Sequence, residues 1–313
     1  MYVVTEAAAA REIVGGRGAV VTIGAYDGVH LGHRAVIDEV RHLANTRGAL
    51  SAMVTFDRHP AEVVRPDSAP CRLTSLEQRL ELLDETGIDL VLVITFDEER
   101  SRENAEDFVT EVLVEALRAR AIVVGHDFHF GANRGGNVEM LQRAGAKHGF
   151  DVLGMGLIAT GQAPVSSTRI RQLLHDGEVG GAAALLGRPH EVRGEVMHGD
   201  KRGRELGFPT ANIKVPDGVC LPADGIYAAL YTGPDGVARP AAASLGRRPT
   251  FYVDAHASLL EAYVLDFDGD LYDQPAAVGF VERLRGEQKF DSIDDLIKQM
   301  HADVANTRAA LGQ

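Results

Sequence analysis

The sequence predicts an α/β domain followed by a β domain: a doubly wound parallel sheet over residues 1–186, then an antiparallel β-barrel with a terminal helix over residues 187–313. Three observations carry this reading. Through about residue 186, apolar runs of strand length alternate with amphipathic stretches of helical spacing, the βαβ rhythm of a parallel sheet covered on both faces. From Val192 onward, short runs separated by Gly, Pro and Asp turns replace that rhythm, as in antiparallel barrels and sandwiches. At 313 residues, two domains are also what length favours, and Gly187-Arg188-Pro189 marks the joint.

In the first half, Ala19 to Ile23, Ala49 to Phe56, Leu90 to Phe96, Ala121 to Val124 and Asp151 to Met155 read as strands. Between them, residues 34–47, Leu76 to Leu83, Ala105 to Leu117 and Asn137 to Lys147 read as helices, with Val36, Ile37, Val40 and Leu43 on one face of the first. Ligands of such sheets sit at the carboxyl ends of the strands, so the loops after residues 24, 56 and 124 hold the chemical interest. In the second half the strands are Glu191 to Met197, Gly225 to Tyr231, Arg239 to Ser244, Ser258 to Phe267 and Ala277 to Leu284. A helix opened by Asp291-Ser292 follows, carrying Ile293, Leu296, Ile297, Met300 and Val304 at helical spacing.

Composition excludes several classes. With 45% hydrophobic and 25% charged residues, the chain is globular rather than disordered or membrane-embedded. No run of 18 apolar residues occurs, and the N-terminus lacks the basic and apolar regions of an export signal. A net charge of −13, with short local basic clusters, argues against a nucleic-acid partner and suits a single nucleotide. Cys71 and Cys220 are too few for a disulfide framework, which fits a reducing cytoplasm.

Four segments concentrate chemistry. Gly199-Asp200-Lys201-Arg202-Gly203-Arg204-Glu205-Leu206-Gly207-Phe208-Pro209-Thr210-Ala211-Asn212 has three glycines four residues apart, which let backbone N–H groups approach an anion, while Lys201, Arg202 and Arg204 add positive charge. It is no Walker loop, and taken alone it also suits a surface hairpin. Gly24-Ala25-Tyr26-Asp27-Gly28-Val29-His30-Leu31-Gly32-His33 follows a buried strand and enters a helix, so His30 and His33 lie at a helix N-terminus, where unpaired N–H groups and the dipole favour anions. Gly125-His126-Asp127-Phe128-His129-Phe130-Gly131 offers aromatic faces to a flat ring, as does Phe56 after the preceding strand, although such a Phe also suits the core. A zinc site built from His30, His33, His126 and His129 is the alternative there, with no acidic or thiolate ligand beside them. Val165-Ser166-Ser167-Thr168-Arg169-Ile170-Arg171 clusters three hydroxyls and Arg171 at a helix start, a terminal-phosphate clamp or plain N-capping.

Taken together these motifs resemble those of the bacterial bifunctional riboflavin kinase/FMN adenylyltransferase (FAD synthetase) family along the whole chain. Gly24 to His33 is similar to the family's Gly-x-Phe-Asp-Gly-x-His-x-Gly-His, with Tyr26 where Phe is usual. Gly125 to Gly131 resembles its Gly-x-Asp-Phe-x-Phe-Gly, with His129 where Arg is frequent, and Ser166 to Arg171 resembles its Ser-Ser-Thr-x-Ile-Arg. In the second half, Gly207-Phe208-Pro209-Thr210-Ala211-Asn212 resembles the kinase motif, and Glu261 in Leu259-Leu260-Glu261-Ala262-Tyr263 its catalytic carboxylate. Arg248 replaces a small polar residue, and Asp273 after Tyr272 replaces an expected Gly. The resemblance implies a Rossmann-like nucleotidylyltransferase domain and a riboflavin kinase barrel. It also implies ATP as co-substrate, riboflavin, FMN and FAD as substrates or products, and Mg2+.

The chemistry distributes roles. Phosphorylating a flavin 5′-hydroxyl calls for a carboxylate base, here Glu261, the only charge between Leu259 and Leu265. A hydroxyl and a side-chain amide suit magnesium, so Thr210 and Asn212 are the expected metal ligands, and Gly199, Lys201, Arg202, Gly203 and Gly207 the phosphate flap. The family's Leu-Arg-Gly-Glu segment implies Arg285 and Glu287 at the flavin wall. Adenylyl transfer needs no base, because a phosphate with a second pKa of about 6 is already anionic. It needs charge neutralisation, assigned to His30 and His33 at the α-phosphate, with Gly24, Asp27 and Gly28 in the same loop, and to Ser166, Ser167, Thr168 and Arg171 at the leaving pyrophosphate. Phe56, Gly125, Asp127 and Phe128 are the expected flavin contacts of that half. The competing readings are an adenylyltransferase whose barrel binds flavin without catalysis, and a flavin-binding protein with no activity.

Overall fold

The computed structural model describes residues 1–156, 159–160, 163–198, 207–247 and 258–313. Contacts divide the chain into two compact units, Met1–Ser167 and Thr168–Gln313. The helices Ser167–His175 and Val179–Leu186, read from sequence with the first half, thus group largely with the second.

In the first unit, strands β1 (Tyr2–Val4), β2 (Ala19–Ile23), β3 (Leu50–Phe56), β4 (Leu90–Ile94), β5 (Ala119–Gly125) and β8 (Asp151–Met155) form one sheet in the order β1-β4-β3-β2-β5-β8. Every pairing in it is parallel. All five residues of β2 are buried, and they serve two cores: Ala19, Val21 and Ile23 pack with the helical residues Val14, Leu113 and Leu141, while Val20 packs with Val40 and Ala44. Burial on both faces is why this strand reads as an unbroken apolar run rather than an alternating one. The order reverses between β2 and β5, since the chain runs from β2 through β3 and β4 on one side and returns to β5 on the other. Loops leaving the carboxyl ends of β2 and β5 therefore flank the crevice where doubly wound sheets bind ligands. The helix Leu31–Arg47 begins three residues before the expected start, so His33 lies inside its first turn. Strand β1 and the helix Ala7–Val14 are additions to the sequence reading.

The small ribbons β6 (His129–Phe130) with β7 (Gly136–Asn137), and β9 (Ala159–Thr160) with β10 (Ala163–Pro164), complete this unit. In the second unit β11 (His190–Met197), β12 (Ala211–Lys214), β13 (Gly225–Thr232), β14 (Ala238–Arg247), β15 (Ser258–Val264) and β16 (Pro275–Arg285) close a barrel in the order β11-β12-β15-β14-β13-β16. All its pairings are antiparallel, and β16 returns to β11, so no strand edge is left open. Strand β12 begins in the last two residues of the segment read only as a ligand loop and runs two residues past it. Asp273 explains its own departure from the family pattern: its φ of 58° is left-handed, a conformation glycine adopts freely and Asp tolerates better than most residues.

The helix Ile293–Ala310, capped by Ser292, follows the barrel and is tied to it by Arg285. Arg285 Nε and Nη2 donate to the two carboxylate oxygens of Asp303 at 2.9 and 2.6 Å, and Gln299 donates to the same carboxylate at 3.0 Å. Asp303 is only 5% exposed, so removing it strands a guanidinium in a largely dry setting. Asp303→Ala is expected to destabilise the second unit by about 3 kcal/mol, read as a lowered denaturant midpoint of its unfolding transition.

Candidate active site

The loop after β2 is built around Asp27 and Gly28. Gly28 has φ 86°, Tyr26 φ 50° and Val29 φ 38°, a sharply turned path that suits glycine and that the two larger residues hold by burial. Asp27 supplies much of the bracing. Its carboxylate accepts from the Leu73 amide at 3.0 Å and from the Thr74 amide and hydroxyl at 3.0 and 3.1 Å, while Gly28 N–H donates to the Thr74 hydroxyl at 3.1 Å. Asp27, expected among the phosphate contacts, thus has its carboxylate engaged in shaping the loop. The Ser167 hydroxyl donates to the Asp27 carbonyl at 2.9 Å, tethering Ser166 and Ser167 to the same loop. Thr168 and Arg171 fall in the second unit by contacts.

His30 caps the helix Leu31–Arg47: its Nδ1 accepts from the His33 N–H at 3.2 Å. An accepting Nδ1 puts the proton of a neutral imidazole on Nε2. The two imidazoles stack with centroids 3.5 Å apart and planes 14° from parallel, and Tyr26 packs on His33 at 4.7 Å. Burial, then the neighbouring His30 and Arg79, hold His33 well below the ordinary histidine range, so its ring is neutral near pH 7. Its Nδ1 is buried without a hydrogen-bond partner among the described residues, which marks a group awaiting a ligand. Tyr26 carries one atom more than the usual Phe, and its hydroxyl is satisfied by Thr22 Oγ1 at 2.5 Å.

Beside this loop lies a cavity of about 630 Å³ lined by Ile23, Phe56, Phe96, Phe108, Phe128 and Phe130 among others. Phe128 stacks on Phe130 at 5.5 Å and 14°, and Phe56 meets Phe96 edge-on at 5.1 Å. The two aromatic residues expected at the flavin are thus brought into one cavity, of a size typical for small-molecule sites. Gly125 and Asp127 form the turn leading to it, and Asp127 is exposed. The four histidines weighed as a zinc set do not gather among the described residues: His126 packs on Gly154, His129 bonds the Asp127 carbonyl at 2.7 Å, and His30 and His33 stack together.

In the barrel unit a cavity of about 330 Å³ is lined by Phe208, Thr210, Glu261, Tyr263, Arg285 and Glu287, with Leu296, Met300 and Val304 of the terminal helix. Strand alternation explains this face. Leu260, Ala262 and Val264 are buried in the barrel core, whereas Glu261 and Tyr263 point to the cavity. In register, Glu261 stands opposite Asn212 on one side and Ser244 on the other. Phe208 fits edge-on between Tyr263 at 5.3 Å and His301 at 5.0 Å. Gly199, Lys201, Arg202 and Gly203, expected as the phosphate flap, lie outside the described residues, as does Arg248; Gly207 is exposed with φ 86°.

Glycine at 246 leaves room for the end of the Glu287 side chain. A Cβ there would fall 1.9 Å from Glu287 Oε1, so the carboxylate lies directly against strand β14. Gly246→Ala is expected to swing Glu287 aside and raise the riboflavin KM about tenfold with little change in thermal stability, checked by steady-state kinetics and a melting curve.

Sequence reasoning missed Arg79, although it left a signal. Leu76, Arg79, Leu80 and Leu83 share helical spacing i, i+3, i+4, i+7, which puts a cation on a buried stripe. It is 5% exposed and donates to the backbone behind the histidine loop.

Residues 14–169 match the family model described as FAD synthetase, and residues 186–311 match that described as Riboflavin kinase. A nucleotide-type crevice with a histidine-bearing helix N-terminus, and a closed barrel with a carboxylate-lined cavity, together define a two-domain transferase class. A bifunctional riboflavin kinase/FMN adenylyltransferase from Escherichia coli (strain K12) is 38% identical over 94% of this chain and 93% of its own length. One from Pseudomonas fluorescens is 40% identical over 94% and 93%. The chain belongs to the bifunctional riboflavin kinase/FMN adenylyltransferase family. A crystal structure described as a macrolide-efflux protein from Streptococcus pneumoniae has the same fold, with a TM-score of 0.86 at 29% identity over 98% of this chain and 99% of that one. The efflux description is that protein's own. Among the described residues, no helix is long and apolar enough to cross a membrane.

Proposed function

We propose that this protein makes FAD from riboflavin in two ATP-consuming steps, kinase chemistry in residues 187–313 and adenylyl transfer in residues 1–186. The observation that carries the reading is the presence in one chain of two unlike cavities: an aromatic one that reaches Ile23, the residue before the loop bearing the stacked His30 and His33, and one lined by a carboxylate on a barrel strand.

In the first step riboflavin lies in the barrel cavity against Glu287 and the terminal helix. Glu261 accepts the proton of the 5′-hydroxyl as that oxygen attacks the γ-phosphorus of ATP, and ADP leaves. Arg285 is held by Asp303 and shapes the cavity wall. The Thr210 hydroxyl and the Asn212 amide oxygen are neutral hard donors at the start of the strand next to Glu261, a set that fits Mg2+. Bound there, the ion would supply neutralisation of the ATP phosphates; Gly199, Lys201, Arg202, Gly203 and Gly207 are the residues assigned to contact those phosphates.

In the second step the FMN ring lies between Phe56 and Phe128, with Gly125 and Asp127 at the turn beside it. A phosphate oxygen of FMN attacks the α-phosphorus of a second ATP, and pyrophosphate leaves. His30 and His33 donate hydrogen bonds to the α-phosphate as charge builds there, while Gly24 and Gly28 shape the loop that receives it. Ser166, Ser167, Thr168 and Arg171 receive the leaving phosphates. Cys71 and Cys220 form no disulfide, which agrees with work in the cytoplasm.

The test is to incubate purified protein with riboflavin, ATP and magnesium and to resolve flavins by chromatography over time, with FMN-start reactions in parallel. FMN rising before FAD is the expected course. FAD formed only from supplied FMN would reduce the barrel to a binding module, and no product from either flavin would overturn the reading altogether.

A further inference from the structure

Arg79 is buried on the helix Leu76–Asp84, and its guanidinium reaches two different loops. Nη1 donates to the Ala25 carbonyl at 2.6 Å, and Nη2 donates to the Phe56 carbonyl. Ala25 opens the loop that carries His30 and His33. Phe56 ends β3, lines the aromatic cavity and leads into Pro60, Val63 and Val64, which line it too. One rigid planar fork therefore spans the nucleotide loop and the flavin wall. A third donor, Nε, is buried without a partner among the described residues.

This is an expensive way to hold two loops together. Burying a cation strips it of hydration, a cost that two neutral carbonyls offset only in part. Asp27, Asp57 and Glu62 lie near enough to favour the charged form, yet Asp27 is engaged by Leu73 and Thr74, and Asp57 by the Phe96 amide at 2.9 Å. An apolar side chain would fill the same stripe of the helix at lower cost. What an apolar residue cannot do is fix two carbonyls in one plane, and neither can lysine, whose ammonium is a point charge without the fork.

We propose that Arg79 is a positioning residue for adenylyl transfer: it sets the spacing between the loop that receives ATP and the wall that receives FMN, so that the two phosphates meet in line. The proposal rests on reading the first half as an FMN adenylyltransferase. Arg79 touches no substrate, and its effect passes through the Ala25 and Phe56 peptides.

The test uses the full chain with Arg79→Lys and Arg79→Met. Both are expected to lower kcat/KM for FAD formation from supplied FMN on the order of 10²-fold, the scale of a misplacement of about 1 Å, with KM rising for FMN and ATP alike. Riboflavin phosphorylation in the same preparations is expected to be unchanged. A cation needed only for folding would be rescued by lysine, so Arg79→Lys within about threefold of wild type overturns the proposal. So does Arg79→Met with wild-type melting and wild-type kinetics. Should either variant fail to fold, the wild-type chain decides: the assigned 15N signal of the Arg79 Nε–H is expected to shift on adding FMN alone and on adding α,β-methylene-ATP alone. A signal moved by only one ligand, or by neither, overturns it. Wild-type protein that makes no FAD from FMN would instead overturn the reading on which the proposal rests.

Discussion

Glu261→Gln is expected to cripple riboflavin phosphorylation while leaving adenylyl transfer to supplied FMN intact. Glutamine keeps the size and one hydrogen bond of the side chain but cannot take up a proton, so the change isolates base catalysis from shape. General base catalysis contributes on the order of 10²–10⁴ in rate, and that is the expected loss in FMN formation. The position supports the role. Glu261 breaks an apolar strand, points away from the barrel core into the cavity, and stands opposite Asn212 in register. That register also makes it a candidate oxygen ligand for a cation bound at Thr210 and Asn212, and the two roles separate experimentally. Loss of a ligand is compensated by raising the magnesium concentration; loss of a base is not. Rescue by excess magnesium would reassign Glu261 to the metal, and kinase activity within tenfold of wild type would remove it from the reaction.

How much of this was readable beforehand depended on the distance between partners. Strand β2 announced itself because burial on both faces leaves four apolar residues and one threonine in a row, with no charge among them, and the helix after it because Ile37 and Val40 recur at helical spacing. Phe56 and Phe128 were each legible because they lie at or just past the carboxyl ends of β3 and β5, the two strands that flank β2 near the sheet's reversal point. Asp27 was read as a ligand because it sits in a ligand motif, but its carboxylate turns to Leu73, 46 residues away, a partner that no local pattern names. Arg285 is a similar case: its partner Asp303 is found only once the terminal helix docks on the barrel. Strand β12 escaped because four residues, Ala211 to Lys214, are too few to show alternation inside a motif already claimed by glycines. Arg79 was different in kind. Its buried position was legible from the leucines around it, but which carbonyls it reached depended on how the ends of β2 and β3 come together.

His33→Ala is the complementary test, expected to lower FAD formation from FMN by on the order of 10²–10³ while riboflavin phosphorylation continues. His33 is the cleaner of the pair to remove. His30 also caps its helix, so its loss adds about 1 kcal/mol of destabilisation to any catalytic effect. The fold around His33 has its own supports in the Thr22–Tyr26 hydrogen bond and the Asp27 bracing, so the loop is expected to survive the cavity left behind. The protonation state gives a second, sharper readout. Burial, His30 and Arg79 all oppose a charge on His33, and two imidazoles stacked at 3.5 Å would repel one another as cations. With its pKa lowered well below 6.5, His33 is neutral at pH 7 and at pH 8 alike, so it acts as a fixed hydrogen-bond donor rather than as a standing positive charge. The ratio of wild-type to His33→Ala rates is therefore expected to stay constant as pH rises from about 7 to about 8.5, because any titration of FMN itself cancels in that ratio. A ratio that shrinks over this range would mean that His33 works as a cation, and that the burial and charges around it fail to hold it neutral; a ratio near one throughout would take His33 out of the transition state.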